Sequence, residues 1–110
     1  PWEKRVEIGH RIGAGLHVSE AIPSAFGLFA ANEGDALGSI VGAVNVGYDT
    51  DTIATMSGAL SGALNGAGAF PAHFLPTLQK ANHLEIERLA KDLIAQDRLR
   101  EQEKGGASHE

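Results

Sequence analysis

Residues 44–66 read VNVGYDTDTIATMSGALSGALNG and join a cluster of two aspartates and two threonines to a long run without charge. Apolar side chains recur at helical spacing at Ile53, Met56, Leu60 and Leu64, and glycines share another face at Gly58, Gly62 and Gly66. An interior glycine costs a helix about 1 kcal/mol relative to alanine, so repeated glycines indicate close approach to a neighbouring backbone. The stretch therefore predicts a central, buried helix that begins near Thr52 or Ile53.

The rest of the chain predicts further helices, separated by glycine-rich or polar breaks. Apolar spacing predicts helices over residues 2–12, 19–31, 35–47 and 83–104, the second with Pro23 near its first turn. The last helix is amphipathic, and its inward side chains include Leu89, Leu93 and Ile94. No strands alternate with helices, so we predict an all-α fold. Residues 1–104 are predicted to belong to one domain and residues 105–110 to form a flexible tail.

The composition limits the possible partners and locations. The 110 residues carry fourteen Asp and Glu against nine Lys and Arg, which argues against nucleic acid as a partner. Residues 53–79 lack Asp, Glu, Lys and Arg, but they are mostly small or polar and contain two prolines, which argues against a membrane span. The absence of cysteine fits a reducing compartment, so we predict a cytoplasmic protein.

Residues 49–52 read Asp-Thr-Asp-Thr and are the strongest candidate for chemistry. Side chains two positions apart on a regular helix point about 200° apart, so the two carboxylates converge only if the chain is extended or turning there. Carboxylates and hydroxyls suit magnesium, manganese or calcium, although both residue types are also ordinary helix caps. Ile53 and Ala54 exclude a helix-loop-helix calcium site, which needs Asp or Asn and then Gly at those positions. An aspartate-nucleophile phosphatase is a weaker alternative, because its alternating strands and helices are missing.

Two segments carry a resemblance to a known family. Residues 47–66 read GYDTDTIATMSGALSGALNG, with Pro71 beyond them, and residues 12–26 read IGAGLHVSEAIPSAF. Both are similar to segments of the ADP-ribosylglycohydrolase family, whose C-terminal signature reads approximately GGDTDTIAxxxGAxxGAxxG. The resemblance implies that the chain is the C-terminal part of an all-α helical bundle. It also implies two divalent metal ions, Mg²⁺ or Mn²⁺, and hydrolysis of an N- or O-glycosidic bond to ADP-ribose.

The resemblance further implies roles for particular residues. The family's C-terminal metal ligands correspond to Asp49, Asp51 and Thr52. The residues implied to bind substrate are Gly13, Gly15, Leu16, Gly47 and Tyr48. Tyr48 stands where the family has a glycine, and its ring would crowd the ligand or stack on it. The family's other metal ligands lie upstream and have no counterpart here, so the chain is predicted to supply half of a metal site, and no catalytic acid or base is identified.

Two classes of function follow from these features. The first is a metal-dependent hydrolase that acts on an ADP-ribosylated substrate or ADP-ribose and needs an N-terminal portion, from the same or a separate chain, to be active. The second is a non-catalytic helical binding module of the same fold, and a hydrolase of another glycosidic or nucleoside bond is a further alternative. The chain opens on Pro1 and its only methionine is Met56, so we expect a preceding portion. Asp35 lies in a GDALG segment that also resembles the family, but we expect it to be an ordinary helix start.

Overall fold

The computed structural model describes residues 2–107, most of which are helical. The helices are α1 (Trp2–Arg11), α2 (Val18–Ala31), α3 (Ala36–Val44), α4 (Thr50–Asn65), α5 (Phe74–Asn82) and α6 (Ile86–Ala107), with a 3-10 turn at Ala67–Ala69. No strand occurs within residues 2–107, which confirms the predicted all-α fold. None of these six helices is both long and apolar enough to cross a membrane.

The chain forms two compact units. The first extends to Pro71 and contains α1 to α4, whereas the second begins at Ala72 and contains α5 and α6. The assignment of residues 1–104 to one domain with a missing N-terminal portion stays a prediction. All residues of the candidate site lie in the first unit.

The buried face of α4 consists mainly of small polar side chains. α4 packs against both α2 and α3, and its fully buried residues are Ile53, Ser57 and Ser61. Ser57 Oγ donates a hydrogen bond to Ala25 O at 2.7 Å, and Ser61 Oγ donates to Ser57 O at 2.9 Å. The apolar core around this face is also built of small residues, apart from one leucine and one isoleucine: Ala14, Ala21, Ala25, Leu28, Ala43 and Ile53. α4 is therefore central as predicted, but it is buried on one face only.

Two expectations about the faces of α4 are wrong. Leu64, the last member of the predicted apolar stripe, is 64% exposed, and the two members before it are only half-buried. Serines are buried instead, because short side chains let helices pack closely and their hydroxyls find carbonyl acceptors. The glycines face side chains and not a neighbouring backbone. A β-carbon at Gly58 would lie 3.5 Å from the Ile40 side chain, and one at Gly62 would lie 3.3 Å from the Phe70 ring.

The predicted breaks are present, but several helix ends are shifted. Asp35 caps α3 as predicted, since its Oδ2 accepts a hydrogen bond from the Gly38 N–H at 2.7 Å. α3 ends at Val44 and not near residue 47, and α4 begins at Thr50, two residues before the predicted start. α2 begins one residue early, so that Pro23 lies in its second turn and not in its first.

The second unit contains a helix that the sequence did not predict. Proline ordinarily interrupts a helix, but Pro76 lies in the first turn of α5, where the N–H that proline lacks is not needed. His83 ends α5 in the left-handed conformation, with φ 53°, so α6 begins at Ile86 and not at residue 83.

The face and the end of α6 also differ from the prediction. Leu89 and Leu93 are 61% and 63% exposed, so within the described chain they do not face inward, and neither does Ile94, which is 53% exposed. α5, the other helix of this unit, does not cover these side chains. The helix continues through Ala107, three residues beyond its predicted end. The flexibility of the tail, residues 105–110, stays a prediction. The remainder of that tail, residues 108–110, lies outside the described residues.

Candidate metal and ligand site

The start of α4 lies against the glycine loop, residues 12–16, which joins α1 to α2. The backbone N–H of Asp49 donates a hydrogen bond to Ala14 O at 2.9 Å, and Ala14 is 2% exposed. Gly47 and Tyr48 both have left-handed backbones, with φ of 98° and 56°, in the turn that leads from α3 into α4. The structure therefore makes neighbours of two distant segments, one predicted to bind metal and the other to bind substrate.

Asp49 occupies the N-cap position of α4, but its side chain does not cap the helix. An N-cap aspartate ordinarily accepts a hydrogen bond from a free backbone N–H of the first turn, as Asp35 does in α3. Asp49 Oδ1 instead accepts a hydrogen bond from Thr52 Oγ1 at 2.9 Å. The Asp49 carboxylate thus lies at the positive end of the helix dipole and is not used for capping.

Asp51 lies within the first turn of α4 and is exposed. It is part of the helix and not of the turn before it, and no hydrogen bond in the described chain joins its carboxylate to Asp49 or Thr52. Residues 2–107 contain no cluster of three His, Cys, Asp or Glu side chains that could hold a metal ion. The oxygens of these three residues suit a hard divalent cation in kind, but they are too few to enclose one.

The glycine loop, residues 12–16, is shaped by two side chains of α2. Gly13 has φ 95°, and its carbonyl accepts a hydrogen bond from Ser24 Oγ. The Glu20 carboxylate lies over the loop, so that a β-carbon at either Gly13 or Gly15 would collide with it. The two glycines therefore leave room for Glu20, and the backbone of the loop is held from the side of α2.

Sequence reasoning missed Glu20 and Ser24 as residues of this site. Both were assigned to an ordinary helix, and Ser24 is fully buried there. The available signal was the pair of glycines separated by one residue, which indicates that another group approaches the loop closely. The loop alone does not say which side chain that group belongs to, so the helix that follows would have had to be placed first.

Comparison with known proteins identifies the family of the chain. The family model described as ADP-ribosylglycohydrolase matches residues 2–103. The chain belongs to the ADP-ribosylglycohydrolase family. It is also 34% identical over 90 residues to the uncharacterized protein YegU of Escherichia coli strain K12, an alignment that covers 82% of this chain and 27% of YegU. The chain thus spans about a quarter of the length of that relative. No solved structure matches the chain significantly.

In this ADP-ribosylglycohydrolase chain, most of the predicted substrate residues border one open cavity. The cavity measures ≈ 370 Å³ and lies between the end of α1, the glycine loop and Tyr48. Gly13, Gly15 and Tyr48 line it together with Glu20. Leu16 is 84% exposed and lies outside its lining, as does Gly47. The roles of all these residues in binding stay predictions.

The two loop glycines of this ADP-ribosylglycohydrolase should differ in their tolerance of alanine. Gly13→Ala is expected to lower the free energy of unfolding by about 1 to 2 kcal/mol, because a β-carbon is unfavourable at its positive φ. Gly15→Ala is expected to cost less than about 0.5 kcal/mol, since only the flexible end of Glu20 has to move. Urea unfolding of both variants measures the difference, and equal costs would contradict it.

Proposed function

We propose that this chain is part of a metal-dependent hydrolase that cleaves an N- or O-glycosidic bond to ADP-ribose, and that it supplies half of a binuclear metal site. The observation that carries the proposal is the set of hydrogen bonds that Asp49 makes at the start of α4. Its carboxylate occupies a cap position without capping, and its backbone N–H is bonded to the glycine loop. Family membership supports the glycosidic class of the reaction.

Asp49, Asp51 and Thr52 are the residues that would hold the metal. Their oxygens are the ligands that Mg²⁺ and Mn²⁺ prefer, and the Thr52 hydroxyl already contacts the Asp49 carboxylate. When bound, two such ions supply Lewis acidity, orientation of the sugar hydroxyls and stabilisation of the charge that develops in an oxocarbenium-like transition state. The remaining ligands come, in this proposal, from an N-terminal portion, which fits the small share of YegU that the chain spans.

The glycine loop supplies free backbone donors to the ligand. Gly15 and Leu16 are not buried, and their N–H groups make no hydrogen bond within the described chain, whereas the carbonyls of Gly13 and Ala14 are both occupied. Successive unpaired N–H groups favour anionic or strongly polar oxygens. This loop is therefore suited to the ribose hydroxyl oxygens of an ADP-ribosyl group, because the Glu20 carboxylate that lies over it would repel the anionic diphosphate. An ADP-ribosylated substrate or ADP-ribose in the cytoplasm is the ligand that we propose.

The experiment uses the natural protein that contains this chain, with any residues beyond it retained. ADP-ribose release from ADP-ribosylated peptides is measured with Mg²⁺ or Mn²⁺, and again after chelation with EDTA. We expect release with at least one ion, loss of at least about 100-fold on chelation, and recovery when the ion is restored. Absence of release with either ion, from serine-linked and arginine-linked peptides alike, would favour a non-catalytic binding module.

A further inference from the structure

Tyr48 combines an unfavourable backbone conformation with a side chain that has no partner among the described residues. Its φ of 56° is one that a bulky residue rarely adopts, and the preceding Gly47 is also left-handed. Its side chain is nevertheless 91% exposed, and it makes no ring contact or side-chain hydrogen bond within the described residues. Strain of this kind is concentrated at functional sites. The ring is therefore a candidate for contact with something other than this chain.

The position of Tyr48 shows where such a contact would occur. It directly precedes Asp49, whose N–H is bonded to the glycine loop. Tyr48 lines the cavity that contains Gly13 and Gly15, and it also lines a second cavity of ≈ 340 Å³ beside Arg5 and Asn45. The residue is thus shared by two cavities at the candidate site. A glycine in its place would leave this surface open.

We infer that Tyr48 is a specificity-determining residue that stacks on a planar aromatic ring of the ligand. An exposed tyrosine ring offers a flat apolar face, and stacking on another aromatic ring is the interaction that uses such a face best. Two rings could meet it, the purine base of the ADP-ribosyl group or an aromatic leaving group at the bond that is cut. The inference rests on the proposed function, because the ligand is taken to be an ADP-ribosyl compound.

Three ligands distinguish the two rings in calorimetric titrations of the natural protein with Mg²⁺ present. Ribose 5-phosphate has no aromatic ring, ADP-ribose adds the purine, and carba-NAD⁺ adds a nicotinamide that cannot be cleaved hydrolytically. Tyr48→Gly is expected to weaken binding of at least one ring-bearing ligand about tenfold and to leave ribose 5-phosphate unchanged. Tyr48→Phe keeps the flat ring and should bind each ligand within about twofold of the unaltered protein. A loss shared by ADP-ribose and carba-NAD⁺ identifies the purine, and a loss confined to carba-NAD⁺ identifies the leaving group.

Thermal unfolding separates this role from a structural one. Because the ring packs against nothing in the described chain, Tyr48→Gly should not lower the melting temperature of the ligand-free protein. A clear decrease would mean that Tyr48 packs against another part of the protein, and it would overturn the inference. Equal binding of all three ligands by Tyr48→Gly and the unaltered protein would overturn the inference alone. If no ligand binds and no peptide is hydrolysed, the inference fails together with the proposed function.

Discussion

Asp49→Ala is expected to reduce ADP-ribose release by the natural protein by roughly 100- to 1000-fold, because it removes a proposed metal ligand. It should lower the free energy of unfolding by only about 0.5 kcal/mol, since the Asp49 side chain caps no backbone N–H and loses only its hydrogen bond from Thr52 and its interaction with the helix dipole. Asp35→Ala is the matched control. Asp35 also occupies an N-cap but bonds the Gly38 N–H, so its loss should cost about 1 kcal/mol of stability and leave turnover unchanged.

Asp49→Asn refines this test. The amide keeps the size of the carboxylate and can still accept a hydrogen bond from Thr52, but it lacks the charge that binds a divalent cation. We expect it to be nearly as inactive as Asp49→Ala, with added Mn²⁺ restoring little activity. Steady-state kinetics measures turnover and urea unfolding measures stability for the unaltered protein and for Asp49→Ala, Asp49→Asn and Asp35→Ala. Loss of activity in Asp35→Ala equal to that in Asp49→Ala would show that helix stability, and not the Asp49 carboxylate, limits turnover.

Ile53→Ala is expected to have the largest effect on stability, about 3 to 4 kcal/mol, because Ile53 is fully buried at the centre of the first unit. Its fully buried neighbours are mostly serines and alanines, which cannot extend into the space that truncation leaves, and the larger Ile8, Val46 and Met56 pack only at the edge of the core. A cavity in such surroundings stays open, and the cost of truncation increases with cavity volume.

Ile53→Val removes a single methylene group at the same position and serves as the control. We expect it to cost about 1 kcal/mol. Urea unfolding of the natural protein, followed by circular dichroism, measures both changes. Equal costs for the alanine and valine variants would contradict the rigid surroundings described for Ile53. So would a cost below about 1 kcal/mol for Ile53→Ala.

Features that depend on local chemistry were predictable from the sequence. The polar break before Asp35 and the capping of α3 follow from the preferences of single residues, and both are found. The buried face of α4 was not predictable in the same way. Hydrophobic periodicity identifies the side with the larger apolar residues, whereas here Ser57 and Ser61 are buried because the helices pack closely. The distance between the packed helices is a property of the whole unit and not of the α4 sequence.

The candidate site was also predictable from the sequence only in part. The sequence and the family resemblance selected Asp49, Thr52 and the glycine loop, and the structure makes these segments neighbours. They did not reveal Glu20, because its role depends on where α2 lies relative to the loop. The same holds for α6, where an amphipathic pattern predicted an inward face but could not show whether a partner element is present in this chain.

The small-residue core described around α4 has a consequence for side-chain entropy. Burying a long side chain immobilises several rotatable bonds, at a cost of up to about 2 kcal/mol, whereas alanine and glycine lose none. A core of alanines and serines therefore gains little from the removal of apolar area but also loses few rotamers. Such a core has almost no alternative side-chain arrangements to which it could switch. The backbone at the start of α4, and with it Asp49, is held in place by helix contacts that side-chain motion does not loosen.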